Sequence, residues 1–198
     1  SRAEEYYVGM APNGFLGRVK LGSAANGKVL AGDIYIVQDS GATTGFWDFR
    51  NAGDVLSLLY TPNAMRWRGM PVYTNTPTRS AQRGPGYNQI ACILEPLLDK
   101  AARELKIDRV QIRKINAPPA PNAGKVGANR RPVTSCYLQE AIAKGAQRFN
   151  WAERAKRSGQ RKGSKVTGVG IGCAYHPAGF NGFDGLGRIT PDGKLDLH

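Results

Sequence analysis

The chain has 198 residues, with 28 Lys and Arg against 15 Asp and Glu, and so a formal charge of +13. That length can bury a core without metal or disulfide staples, and 41% hydrophobic with 22% charged residues is a globular composition, not that of a disordered tail. No stretch approaches the ~18 consecutive apolar residues of a membrane helix, which excludes a spanning segment.

Residues 15–21 alternate loosely, Ala25-Asn26-Gly27 makes a turn, and residues 28–37 run through Val, Leu, Ile, Tyr, Ile and Val. This predicts a β-hairpin in which Asn-Gly supplies the positive φ angles. Residues 39–49 read as a Gly/Thr/Ser loop carrying Phe46, Trp47 and Phe49, and residues 55–60 and 65–74 as apolar or strand-like segments. Further on, Ile90, Ile93, Leu94, Leu97, Leu98, Ala101 and Leu105 recur at three- and four-residue spacing, the mark of an amphipathic helix. Pro96 inside it predicts a kink, with Glu95 beside the apolar stripe. A short helix is expected over 109–115.

Residues 117–127 are rich in Pro, Ala and Gly and read as a linker. Ser135 is placed to cap a helix running to about residue 157. Residues 159–164 break that pattern, and 166–175 alternate Gly with apolar residues as a strand would. Segments 186–189 and 194–197 flank Pro191-Asp192-Gly193, a second hairpin turn. The order predicts an α+β fold divided as 1–116, a linker over 117–134, and 135–198. Its last sheet is left unfinished, and the chain opens on Ser1, both of which fit part of something larger.

Cys92, Cys136 and Cys173 with His176 and His198 form no zinc spacing. No Ser-His-Asp order, Walker loop or dinucleotide fingerprint occurs either. The odd cysteine count fits small core residues in a reducing compartment, hence a cytoplasmic setting with the periplasm left open. Positive charge is concentrated at Lys144, Arg148, Arg154, Lys156, Arg157, Arg161, Lys162 and Lys165, opposed only by Glu153. Without interleaved aromatics this reads first as a solvated surface facing an acidic neighbour; a basic module for nucleic acid is the alternative.

The sharpest local feature is Gln82-Arg83-Gly84-Pro85-Gly86. Two glycines around a proline make a tight turn with bare backbone N–H groups, and the turn leads straight into a helix. Amides and helix dipole then converge on one spot, a generic site for an anion or oxo group, although many such turns merely start helices.

The run of Thr74-Asn75-Thr76-Pro77, Gln82 to Gln89, Leu94-Glu95-Pro96-Leu97-Leu98-Asp99, Leu105-Lys106-Ile107-Asp108 and Arg113-Lys114-Ile115-Asn116 closely resembles the molybdenum-cofactor-binding large subunit of the xanthine oxidase/aldehyde oxidase family. Phe15 to Gly22, Val169 to Gly172 and Pro191-Asp192-Gly193 resemble flanking pieces, so the chain is similar to a middle portion of that subunit. The resemblance implies the latter part of a first molybdopterin-binding domain over 1–116 and the start of a second over 135–198.

It further implies a molybdenum–pterin cofactor, molybdopterin or its cytosine dinucleotide, that hydroxylates a carbon centre with water-derived oxygen. Electrons would pass to iron–sulfur clusters and FAD on partner chains or domains. The implied partners are the remaining portions of the subunit, an iron–sulfur subunit, a flavin subunit and a small-molecule substrate. Hydratases and alcohol dehydrogenases on the same scaffold are alternatives. By position, Gln82, Arg83 and Gly84 match cofactor-binding residues, with the Arg83 amide approaching the metal. Pro85, Gly86, Tyr175 and His176 match substrate-facing positions; Pro85 stands where purine-oxidising members often carry an aromatic. The family's catalytic glutamate belongs to a later motif outside this chain and is not assigned to Glu95 or any other carboxylate, so the chain is not expected to be active alone. The substrate-clamping arginine has no clear match; Arg50 and Asn51 lie nearby in order.

Overall fold

The computed structural model describes Glu4 and residues 11–43, 45–119, 136–176 and 187–197. The expected cap at Ser135, most of the 117–134 linker and most of the first ten residues lie outside that set.

Strands β1 (Gly14–Ser23) and β2 (Val29–Asp39) pair antiparallel from Gly14↔Asp39 to Gly22↔Ala31, with a bulge at Gly22/Ser23. Their turn closes where predicted, the Gly27 amide donating to the Ala24 carbonyl at 2.9 Å, but of the expected pair only Gly27 takes a positive φ, 86°, and Asn26 does not. Along β2, Ile34, Ile36 and Gln38 point into the core while Asp33, Tyr35 and Val37 are only partly covered. That period of two is what a half-buried sheet requires.

Residues 55–60, expected as apolar or strand-like, belong instead to helix α1 (Asp48–Leu59) and its C-cap Tyr60. A short apolar run carries no period of its own, and the helix is recognisable only from its start inside the aromatic loop, at Asp48 and Phe49. β3 (Ala64–Val72) then pairs parallel with β2 from Ala31↔Ala64 to Asp39↔Val72, completing a three-stranded sheet in the order β1-β2-β3. The connection is a βαβ unit, the means by which neighbouring parallel strands are joined. Phe49 of α1 stacks on Trp67 of β3, with ring centroids 5.9 Å apart and 2° between planes.

Helix α2 (Tyr87–Glu104) packs on α1 and buries Ile90, Leu94 and Leu98 of the predicted stripe together with Tyr87 and Ala102, while Ile93, Leu97, Ala101 and Leu105 are only partly covered. It continues through Pro96. Pro96 and Cys92 lie on the exposed face, so the Cys92 carbonyl that Pro96 cannot serve is left to water. Asp108 caps α3 (Arg109–Asn116) by accepting from the amides of Val110 at 2.8 Å and Gln111 at 3.1 Å. At the far end, the buried Asn116 side chain accepts from Val29 N–H at 2.7 Å and donates to the Gly27 carbonyl at 2.8 Å, locking the first hairpin to α3.

The single helix expected to reach residue 157 is two: α4 (Leu138–Arg148) and α5 (Trp151–Lys156). Asn150 between them is left-handed, at φ 54° and ψ 49°, a conformation Asn tolerates and a helix cannot continue through. The stretch expected as a break contains β4 (Arg161–Lys162), which pairs with β5 (Lys165–Val166). The strand expected over 166–175 joins no sheet among the described residues beyond Val166. Individual bonds hold it instead, including Val169 N–H to Ser158 Oγ at 3.0 Å. The last hairpin forms as predicted, β6 (Gly187–Ile189) against β7 (Leu195–Leu197). Mixed helices and sheets make an α+β architecture.

Candidate functional site

The segment 82–86 leaves the sheet region and enters α2 through two left-handed glycines, Gly84 at φ 77° and Gly86 at φ 80°. The Gly84 carbonyl accepts from the amides of Tyr87 at 3.1 Å and Asn88 at 3.2 Å, so the chain turns sharply around Pro85. Asn51 clamps the turn from α1, its Nδ2 donating to the Pro85 carbonyl at 3.0 Å. Asn88 Nδ2 donates to the Arg83 carbonyl at 2.9 Å. With those carbonyls occupied, the N–H groups of Arg83 and Gly84 find no acceptor among the described residues. Gln82 and Arg83 are exposed, and a cavity of about 190 Å³ opens beside them, lined by Pro12, Asn13, Gln82, Gly84, Pro85, Asn88, Gln89 and Cys92.

Gly86 does not line that cavity, although Gly84, also buried, does. The Gly86 amide donates to Gln89 Oε1 at 2.9 Å, and a Cβ on Gly86 would stand 2.0 Å from the Asp48 carbonyl oxygen. Tyr175 and His176 arrive from the second half of the chain against Tyr87, the first residue of α2. Their ring centroids lie 5.3 Å and 5.9 Å from that of Tyr87, the Tyr175 contact being edge-on. The structure therefore brings the 82–86 turn and residues 175–176 to the same end of α2. Arg50 and Asn51 stand apart from the clamping role: the Arg50 guanidinium lies 3.7 Å over Trp47, and Asn51 is spent on the turn.

Asp48, Gln38 and Glu95, the first two buried and the third partly so, are absent from the sequence reading in any functional role. Asp48 is fully buried, and burial raises its pKa above the ordinary carboxylate value, partly offset by hydrogen bonds from Asn13 and Gln89. Gln38 anchors the start of α1, accepting from the Phe49 amide at 2.9 Å and donating to the Phe46 carbonyl at 2.8 Å. Glu95 gathers the Tyr60 hydroxyl, the guanidinium of the fully buried Arg113 at 2.8 Å, and the Cys173 amide at 3.0 Å. Burial works against the Arg113 charge, and Glu95 and Asp99 outweigh it. Burial and the Glu95 charge push the Tyr60 hydroxyl and the Cys173 thiol upward. Through Cys173 this cluster holds the segment that ends at Tyr175 and His176.

A profile of the molybdopterin cofactor-binding domain matches residues 1–117. The chain belongs to this family. Its relatives include the xanthine dehydrogenase molybdenum-binding subunit of Escherichia coli O157:H7, 34% identical over 61% of the chain, and aldehyde oxidase 4 of Rattus norvegicus, 26% identical over 99%. The chain spans only 16% and 15% of those relatives' own lengths. The fold is that of the aldehyde oxidoreductase from Desulfovibrio gigas, with a TM-score of 0.71 over 94% of this chain and 21% of that one, at 23% identity. The matched relatives are a xanthine dehydrogenase subunit and an aldehyde oxidase, and this chain carries the molybdopterin cofactor-binding domain over residues 1–117.

The turn has the donor chemistry such a cofactor calls for. The amides of Arg83 and Gly84, neither with an acceptor among the described residues, lie just ahead of the N-cap Gly86 of α2, and the cavity beside them is lined by Gly84 together with Gln82 and Asn88. Among the described residues, no cluster of three His, Cys, Asp or Glu comes together that could hold a metal ion through side chains. No helix among them is long and apolar enough to cross a membrane.

Proposed function

We propose that this chain is the portion of a molybdenum hydroxylase-type oxidoreductase subunit that presents the Arg83 and Gly84 amides to a molybdopterin-type cofactor. The observation that carries the reading is that pair of uncovered N–H groups, held by a turn whose carbonyls are already bonded. Bound there, the cofactor would supply oxidation of an electron-poor carbon with oxygen taken from water, its electrons leaving through iron–sulfur clusters and a flavin.

The chain's own residues then have distinct tasks. Arg83 and Gly84 donate backbone hydrogen bonds to an electronegative ligand of the cofactor, and preorganised amides of this kind need no rearrangement to do so. Gln82 adds a side-chain amide beside them. Pro85 presents a small saturated ring to the substrate side, which cannot stack a flat heterocycle as an aromatic would. Tyr175 and His176 form the facing wall, and Gly86 shapes the turn from below.

On this reading residues 1–116 and 135–198 belong to two successive molybdopterin-binding domains joined at 117–134. Contacts such as Trp151 Nε1 to Asp108 Oδ2 at 2.8 Å tie the two together. Iron–sulfur and flavin subunits and the rest of the molybdopterin-binding subunit are the partners. The free thiols of Cys92, Cys136 and Cys173 support a cytoplasmic setting.

The test is Gly84→Ala in the intact, natively assembled protein. Gly84 has φ 77°, which strains any residue with a Cβ, and that Cβ would meet Asn88 Oδ1 at 3.0 Å, crowding the side chain that braces the Arg83 carbonyl. Molybdenum per polypeptide is expected to fall sharply. Unchanged molybdenum content would remove the role given to the turn.

A further inference from the structure

Three hydrogen bonds meet on the side chain of Gln89, in the first turn of α2. Its Oε1 accepts from Gly86 N–H at 2.9 Å, and its Nε2 donates to Asp48 Oδ2 at 2.9 Å and to the Asn13 carbonyl at 3.2 Å. One amide thus joins the cofactor turn to the first residue of α1 and to the segment entering β1. Pinning Gly86 N–H fixes the peptide after Pro85, and with it the direction in which the preceding amides point. Because Gly86 N–H can only donate, Oε1 must face it and Nε2 is left to Asp48 Oδ2; the reversed amide would set two donors against each other at Gly86.

Asp48 itself is unusual. It is fully buried, it makes no ion pair among the described residues, and its Oδ1 has no hydrogen-bond partner, nor does the Oδ1 of Asn13. Its surroundings are uncharged on each side: Asn13 before β1, Gln38 at the end of β2, and Gly86 and Gln89 from the turn and α2. The charged residues of those elements are engaged elsewhere or exposed: Arg50 stacks on Trp47, Asp39 pairs with Arg79, Glu95 with Arg113, and Arg83 is exposed on the turn. Its donors, Asn13, Gln89 and the Gly86 backbone, only partly offset the cost of burying the Asp48 carboxylate with no cation beside it, and the protonated form carries a donor of its own.

We propose that Gln89 is the positioning residue of the cofactor turn and that the buried Asp48 carboxyl holds its amide in that orientation. What the turn holds rests on the function proposed above; the positioning concerns this chain alone. The sign of its pH dependence follows from burial. Asp48 titrates higher in the folded protein than in an unfolded one, so across that window the native state binds more protons. Local stability is therefore fully present below the ordinary carboxylate range and is lost as pH rises through the folded titration.

The experiment is hydrogen exchange of the amides at 83–90 in the intact assembled protein, corrected for the intrinsic pH dependence, with molybdenum measured on the same samples. Gln89→Glu keeps an acceptor for Gly86 but sets a second carboxyl against Asp48. Its Gly86 amide should exchange faster by about tenfold at neutral pH, the worth of one hydrogen bond to a charged or buried group. Protection should return as the pH falls and the carboxyl pair retains a proton. In the natural sequence protection should weaken as pH rises through the Asp48 titration, and Asp48→Asn should abolish that dependence.

Equal Gly86 exchange in Gln89→Glu and the natural protein at every pH would overturn the proposal. So would a pH dependence that persists in Asp48→Asn. If α3 amides also exchange faster in Gln89→Glu, that variant has opened generally, and the isosteric Asp48→Asn comparison decides. Altered exchange at Gly86 with unchanged molybdenum would uphold the positioning while removing the cofactor reading.

Discussion

Replacing Arg113 by Met tests whether the Glu95 cluster holds the two parts of the chain together. Arg113 is fully buried and donates to Glu95 Oε2 at 2.8 Å, Asp99 Oδ1 at 2.7 Å and the Arg109 carbonyl at 2.9 Å. Methionine fills much of the volume and removes all of these bonds. Asp99, 30% exposed, can recover water; Glu95, at 13%, is left with the Tyr60 hydroxyl and the Cys173 amide. Removing one partner of a buried pair costs about 3–5 kcal/mol, because the survivor's charge stays desolvated. The readout is Cys173, a buried thiol whose amide is bonded to Glu95. In the intact protein its labelling by a thiol reagent, mapped by mass spectrometry, reports local opening. At about 1.4 kcal/mol per decade, Arg113→Met should raise the opening equilibrium by about two to three and a half orders of magnitude. The double variant Glu95→Gln/Arg113→Met removes both charges and should recover part of that loss. Labelling at the natural rate in Arg113→Met, or simple addition in the double variant, would refute the reasoning.

Gly86→Ala should lower the melting temperature well beyond Gly159→Ala: both positions have φ near 80°, but a Cβ at Gly86 meets the Asp48 carbonyl at 2.0 Å, whereas at Gly159 it meets open space. Trp151→Phe keeps the ring and loses the 2.8 Å bond to Asp108, which should cost about 1.5–3 kcal/mol in a denaturant titration of the intact protein. On the sheet surface, Arg66 holds the Asp33 carboxyl down to about 2, aided by Arg68. A depressed carboxyl contributes stability above its ordinary value of 3.8 that is lost as pH falls through about 2, so Asp33→Asn should flatten that part of the acid-unfolding curve. Added salt should shrink the difference, since the pair is solvent-exposed.

The elements legible in the sequence are those whose pattern is local. The first hairpin needs only alternation and Asn-Gly; α2 needs only its stripe; the last hairpin needs only Pro191-Asp192-Gly193. Helix α1 escaped because Val55, Leu56, Leu58 and Leu59 are buried together, so its apolar run shows no clean period. The break between α4 and α5 rests on one residue, Asn150, whose left-handed backbone no periodicity announces. Residues 166–175 have strand composition, yet a strand exists only where a partner offers its ladder, and beyond Val166 no such partner is present among the described residues.

The site divides in the same way. A glycine-proline-glycine turn entering a helix is readable because its chemistry belongs to the backbone, which consecutive residues dictate. Its supports belong to tertiary structure: Asn13, Asp48 and Gln89 come from separate parts of the chain, and Glu95 joins Tyr60, Arg113 and Cys173 across as many as 78 positions. A signal for them did exist in the sequence. Glu95 stands beside the apolar stripe of α2, and a carboxyl placed there must find partners or lose its charge. What could not be read was which partners those are. Arg113 sits one helix away and Cys173 beyond a linker, so only the folded chain shows that Glu95 ties α2 to α3 and to the segment carrying Tyr175 and His176.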